Sequence, residues 1–246
     1  MAKNVCIATN LGLVDYGEVW DLQRRLHGLR IAGEIDDVLL TLEHQPVLTL
    51  GKSGSLSNVL VSPERLADMG ISLYHIERGG DVTYHGPGQL VAYPIIDLRR
   101  RDKDISRFVT DLEEVIIRTV GDFSIEAGRD AGHRGVWIDN QELAAIGLSV
   151  RKWVSMHGVA LNVGTDLTHF QLINPCGFTD RRATSMAQYL SRDISFDSVR
   201  KSLLRHFADV FDVRLSLMAK PDLTALAQKT AKVPEDAGGM KGERSC

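Results

Sequence analysis

Two stretches of the chain carry residue types that could do chemistry. The first, RGGDVTYHGPGQL from Arg78 to Leu90, sets Gly79, Gly80, Gly86 and Gly88 around Arg78, Asp81, Tyr84 and His85. Its glycines do not follow the G-x-x-x-x-G-K-[ST] or G-x-G-x-x-G spacings of phosphate and dinucleotide loops. They do allow a backbone bent close to a ligand, because glycine takes conformations closed to other residues. The second stretch, INPCG, puts Cys176 between Pro175 and Gly177, after the amphipathic DLTHFQL. A lone cysteine is usually a small buried hydrophobe. A thiol on a turn, however, is accessible and close to backbone N–H donors, as a nucleophile requires. His85 and His157 are candidates for the base or cation that nucleophilic cysteines need.

Other chemistries find little support. The three cysteines, Cys6, Cys176 and Cys246, stand far apart in 246 residues, with no C-x-x-C pair and no His/Cys cluster of zinc-site spacing. They are expected to be free thiols in a reducing compartment, and no metal is expected. A formal net charge of -3 and a pI near 6.2 give no global reason to expect nucleic acid or an anionic membrane as partner. The apolar runs fall far short of the roughly 20 residues that span a bilayer. MAKNVCIATN turns polar before any signal-like apolar region develops. A cytoplasmic location is expected.

The elements that must position these residues follow from hydrophobic spacing. Val19, Leu22, Leu26 and Leu29 predict a helix behind an Asp15 cap, and Ile105 to Val120 carries a second apolar stripe. DDVLLTLEH, PVLTL, ISLYHI and LVAYPIIDL read as strands, with a short helix after Ser62-Pro63. GVWID, ELAAIGLSV and WVSMHGVALNV read as adjacent antiparallel strands, and a helix is predicted from Phe196 to Phe211. Helices interspersed with strands, several joined by connections too short for crossovers, predict an α+β fold with a mixed central sheet flanked by helices. Residues 1–220 are expected to form a single domain. Residues 221–246 are expected to be a short helix and a small, polar, disordered tail.

The blocks RGGDVTYHGPGQLVAYPIIDL, AAIGLSV, HGVALNV, DLTHFQLINPCG and Thr184-Ser185-Met186 closely resemble, in order and spacing, the octanoyltransferase family of lipoate biosynthesis. The resemblance runs from about Val38 to Met186 and implies the fold of the biotin/lipoate protein ligase superfamily. It also implies a reaction in which octanoyl (or lipoyl) passes from acyl carrier protein to the thiol of Cys176. From there it moves to a lysine of an apo lipoyl domain, in 2-oxoacid dehydrogenases or the glycine cleavage H protein. No cofactor is implied. The substrate-binding segments it implies are Arg78, Gly79, Gly80, Asp81, Val82, Thr83, Tyr84 and His85, then Ala145, Ile146 and Gly147, then Gly158, Val159 and Ala160. Small residues on neighbouring strands suit a narrow slot for an eight-carbon chain, and equally suit close strand packing.

One position departs from the family. Where the resemblance implies a lysine that pairs with the cysteine, this chain has Glu142. A different cation, with His85, His157 and Lys152 the candidates, could then activate Cys176. Glu142 could also turn away, or serve as a carboxylate base. An ATP-dependent lipoate or octanoate ligase and a non-catalytic acyl-binding paralogue are the competing functions. Arg99, Arg100, Arg101 and Lys103, and the pair Arg181-Arg182, are candidate docking elements for acidic partner domains.

Overall fold

The computed structural model describes residues 3–174 and 182–229. Its main sheet is built from β1 (Asn4–Val14), β2 (Asp37–His44), β6 (Gln89–Ile95), β7 (Val136–Ile138), β8 (Gln141–Arg151), β9 (Val154–Asn162), β10 (Arg182–Ala183) and β11 (Val213–Leu217). Their order is β10-β8-β9-β6-β2-β1-β11, with β7 also paired to β8. β1 runs parallel to β2 and β11, and β10 parallel to β8, while the other pairs are antiparallel. The sheet is therefore mixed, in an α+β fold. A smaller sheet, β4-β3-β5, comprises β3 (Val47–Leu50), β4 (Ser72–His75) and β5 (Val82–His85), with α2 (Pro63–Asp68) before β4.

The period-two alternation of strand side chains divides the core into two layers. Leu39 of β2 and Leu90 and Ala92 of β6 join one cluster, with α3 (Ile105–Gly121) and α5 (Phe196–Phe211). Val38, Leu40, Leu42, Val91, Tyr93 and Ile95 join the other, beneath α1 (Tyr16–Ala32) and α6 (Lys220–Lys229). Both faces are thus covered, which is why β2 and β6 read as nearly continuous apolar runs. Asp15 caps α1 by accepting the Glu18 N–H at 3.1 Å, and Gly33 ends the helix at φ 77°.

A buried ion cluster ties α1 to the sheet. Arg30 Nε donates to Asp37 Oδ1 at 2.7 Å, Arg30 Nη2 lies 3.3 Å from Asp97 Oδ2, and the Asp97 N–H donates to Asp37 Oδ1 at 3.0 Å. Burial would raise the Asp97 carboxyl, but hydrogen bonds from Arg99 and the charge of Arg30 hold it below its ordinary range.

Two segments differ from the sequence expectation. Asn4–Val14, to which hydrophobic spacing assigns no element, is an eleven-residue strand with a register shift between Asn10 and Gly12. Val82–His85 is not loop but strand β5, paired antiparallel with β3. Among the described residues, no helix is long and apolar enough to cross a membrane, and no group of three or more His, Cys, Asp or Glu could hold a metal ion.

Candidate active site

The β8–β9 hairpin forms one wall of a cavity of about 860 Å³. Lys152 and Trp153, at φ 50° and 64°, make the two-residue turn, and positive φ at both positions matches the twist of the strands they join. The register then sets Ala145 opposite Ala160 and Gly147 opposite Gly158. With Ile146 and Val159, these residues line the cavity. The facing wall is Arg78, Gly79, Gly80, Asp81, Val82, Thr83 and His85, and the Gly79 N–H donates to the Leu148 carbonyl at 2.8 Å to join the two walls.

The glycines answer to their neighbours as much as to the slot. A Cβ on Gly147 would lie 2.8 Å from Arg78 Cδ. One on Gly158 would collide with the Ala92 carbonyl and come within 2.6 Å of Pro94 Cδ, so β6 could not pass so close. Gly158→Ala is accordingly expected to cost about 1–3 kcal/mol, as overpacking of a filled interior does. Chemical denaturation of the purified variant checks this, and an unchanged midpoint and slope would show that β6 yields freely.

Arg78 is buried. Its guanidinium donates to the Thr49 carbonyl at 2.6 Å, to Thr49 Oγ1 at 2.9 Å and to the Gly79 carbonyl at 3.0 Å. Burial lowers its pKa, but the hydrogen bonds hold the charge against the cavity wall. His85 Nδ1 lies 2.7 Å from Gln89 Oε1, and Gln89 Nε2 donates in turn to Asn162 Oδ1 at 2.9 Å. Burial, aided by nearby His44, holds the His85 imidazole at about 3, so it is neutral at physiological pH.

His157 also lines the cavity, with its backbone left-handed at φ 61°. Its Nε2 lies 3.7 Å from Glu77 Oε2, while the Trp20 indole donates to the same oxygen at 3.0 Å. Burial would raise Glu77, but His157, its own backbone N–H and Trp20 together hold it at about 2.

Other expected residues fall elsewhere. Tyr84 does not line the cavity. Alternation along β5 turns it into the apolar cluster of Leu48, Leu50 and Leu66, where its hydroxyl meets His169 Nδ1 at 2.9 Å. Lys152 sits exposed on the hairpin turn, outside the cavity. Arg99 is paired with Asp97 and Arg101 with Asp111, which occupies two of the candidate docking charges. Cys6 is fully buried, and burial pushes its thiol up. Cys176, Arg181 and Cys246 lie outside the described residues. Asn174 and Arg182, on either side of the Cys176 segment, both line the cavity. So does Glu142, whose backbone pairs with Ala183. Tyr16, Tyr93 and Phe170 line it as well, and sequence reasoning missed them. Tyr93 left a signal, a hydroxyl-bearing residue inside the aliphatic run LVAYPI. Tyr16 left none, since only the packing of α1 brings it there.

The fold and sequence have close relatives. The family described as lipoyl protein ligase A/B catalytic domain matches residues 15–208. An octanoyltransferase of Caldicellulosiruptor saccharolyticus is 47% identical over 91% of this chain and 94% of its own length. One from Solibacter usitatus is 47% identical over 87% and 96%. Among solved structures, lipoate-protein ligase A bound with ATP superposes with a TM-score of 0.68 at 17% identity, covering 93% of this chain and 94% of that one. A bi-partite lipoate protein ligase from Thermoplasma acidophilum gives 0.67 at 17% identity, covering 93% and 91%. Fold, matched family and full-length relatives agree: the chain belongs to the octanoyltransferase family, on the lipoate protein ligase fold.

Proposed function

We propose that the protein transfers an octanoyl group to a lysine ε-amine of a lipoyl domain through a thioester on Cys176, with octanoyl-acyl carrier protein as donor. In the first step the Cys176 thiolate attacks the donor carbonyl carbon, a new C–S bond forms, the donor's C–S bond breaks, and the carrier leaves as its thiolate. In the second the neutral lysine amine attacks the same carbon, a C–N bond forms, the enzyme C–S bond breaks, and the proton lost by the amine balances the charge of the departing Cys176 thiolate. The observation that carries this is the slot between β8–β9 and the Arg78–His85 wall, in a chain 47% identical to an octanoyltransferase. Asn174 and Arg182, which flank the Cys176 segment, open onto that slot.

A thioester is already an activated acyl donor, so transfer is expected without ATP or magnesium. Mass spectrometry of a lipoyl domain incubated with enzyme and octanoyl carrier protein tests this. A strict requirement for ATP would favour a ligase instead.

Glu142 holds the place where the resemblance implies a lysine. A unit charge about 6 Å from a thiolate, at an effective dielectric of about 20, is worth roughly 3 kcal/mol or two pKa units. Glu142→Lys is therefore expected to lower the apparent Cys176 pKa by at least about one unit. Its gain in acylation rate is smaller, because a low-pKa thiolate is a weaker nucleophile. The pH dependence of alkylation by a small neutral reagent reads this directly, and an unchanged pKa would show that Glu142 is not coupled to the thiol.

A further inference from the structure

We infer that His133, oriented by Asp130, is the general base that takes the proton from the acceptor lysine as the amide bond forms. The inference rests on the functional assignment above, which makes a lysine amine the second nucleophile. The nitrogen of that amine gains positive charge as it attacks, so a group beside it must accept a proton.

His133 stands at the end of the cavity where Glu142 lies. Glu142 pairs with Trp137 of β7 on one side and with Ala183 of β10 on the other. The His133 ring meets the Trp137 ring edge to face, 6.1 Å between centroids, and both line the cavity with Glu142. Gly135 lets the three gather. A Cβ there would lie 3.4 Å from both Glu142 Oε1 and Trp137 Nε1, and 2.7 Å from the Ala144 carbonyl oxygen. Its φ of 131° is a conformation that side chains rarely allow.

Asp130 decides which nitrogen of the ring is basic. Its Oδ1 lies 2.9 Å from His133 Nδ1 and also accepts the Gly132 N–H at 2.8 Å. A carboxylate can only accept, so Nδ1 carries the proton of the neutral ring and Nε2 is the proton acceptor. The histidine of a hydrolytic triad is oriented by the same division of roles. The surrounding charges are Arg134 on the same loop, Glu113 and Glu114 of α3 with Arg129 paired to both, Glu142 of β8 and Arg182 of β10. His85 and His157, which also line the cavity, are committed elsewhere, to Gln89 and Glu77. Glu142 is the rival base. An ordinary carboxylate, however, is about two pKa units weaker than an ordinary imidazole, and a base works best near the operating pH. As the C–N bond forms, the proton passes from the lysine nitrogen to Nε2 and the C–S bond breaks toward the Cys176 sulfur. The imidazolium then gives that proton to the departing thiolate or to water.

The two half-reactions of the full-length protein separate this role from a structural one. Formation of the octanoyl adduct from octanoyl carrier protein is to be timed by intact mass, then its decay on adding a lipoyl domain or hydroxylamine. Hydroxylamine is neutral near pH 7 and its product sheds a proton readily, so it needs no base from the protein. His133→Ala is expected to slow decay onto the lipoyl domain about 100-fold, with imidazole restoring at least about 10-fold of it. Adduct formation and hydroxylamine decay should stay within about 3-fold of wild type. Asp130→Asn, nearly isosteric, offers Nδ1 an amide donor and so favours the wrong tautomer; it should slow the same step at least about 10-fold. Unchanged decay onto the lipoyl domain in either variant would overturn the inference, and Asp130→Asn decides alone should His133→Ala not fold. So would a loss shared equally by hydroxylamine, or one that imidazole leaves unrestored. Imidazole-rescued transfer by a protein that forms no adduct would count against the thioester route and leave the base standing.

Discussion

Cys176→Ala is expected to abolish the octanoyl adduct on the enzyme and to lower transfer by at least about 10³-fold, since a covalent route loses its nucleophile and keeps only binding and positioning. Intact mass after incubation with octanoyl carrier protein is the direct measurement, with hydroxylamine release marking the thioester. Cys6→Ala is the matched control. Its thiol is fully buried in the cluster beneath α3 and α5, so the adduct should survive its removal, as it should in Cys246→Ala. A hydroxylamine-labile adduct that persists in Cys176→Ala would overturn the assignment.

Asp37→Ala is expected to cost about 3–5 kcal/mol, because it leaves the buried Arg30 guanidinium without its shortest partner and removes the acceptor of the Asp97 N–H. For a chain of this size that corresponds to a fall in Tm of roughly 6–20 °C. The exposed pair Lys201–Asp197 supplies the contrast, since surface bridges contribute about 0–1 kcal/mol. Thermal and denaturant unfolding of Asp37→Ala beside Lys201→Ala checks both. Equal stability losses in the two variants would show that the buried cluster carries no special weight.

Where hydrophobic spacing is strong and local, the sequence reveals the element. α3 and α5 follow their apolar stripes from the expected first residues, and the β8–β9 hairpin lies where three short apolar runs meet polar turns. β1 escaped because Asn4, Thr9, Asn10 and Gly12 break its pattern, and because its burial depends on β2 and β11 lying to either side. β5 escaped because glycines crowd both of its ends, and four residues are too few to show a period against that background. Within the site, the segments implied by the resemblance do converge, with Tyr84 the exception. Parity turns both Val82 and Tyr84 of β5 into the apolar cluster, and of the two only Val82 also borders the cavity. Glycine content suggested open space at Gly147 and Gly158, but contact with Arg78 and Ala92 explains why no larger residue fits, and contacts between distant segments leave no trace in local spacing.

The partnership of β1 with β11 bears on how the molecule is assembled. Asn4 lies opposite Val213 and Ala8 opposite Leu217, so a strand near the start of the sequence is flanked on one side by a strand near its end. During synthesis β1 can dock on β2 early, but its other edge must wait, with N–H and C=O groups unpaired, until α5 and β11 have emerged. Such a pairing of distant segments raises contact order and slows folding, because the loop must close before the strand contacts repay its entropy. Refolding is therefore expected to be limited by docking of β11, and nascent chains stopped before Val213 present an open template for strand addition by another chain.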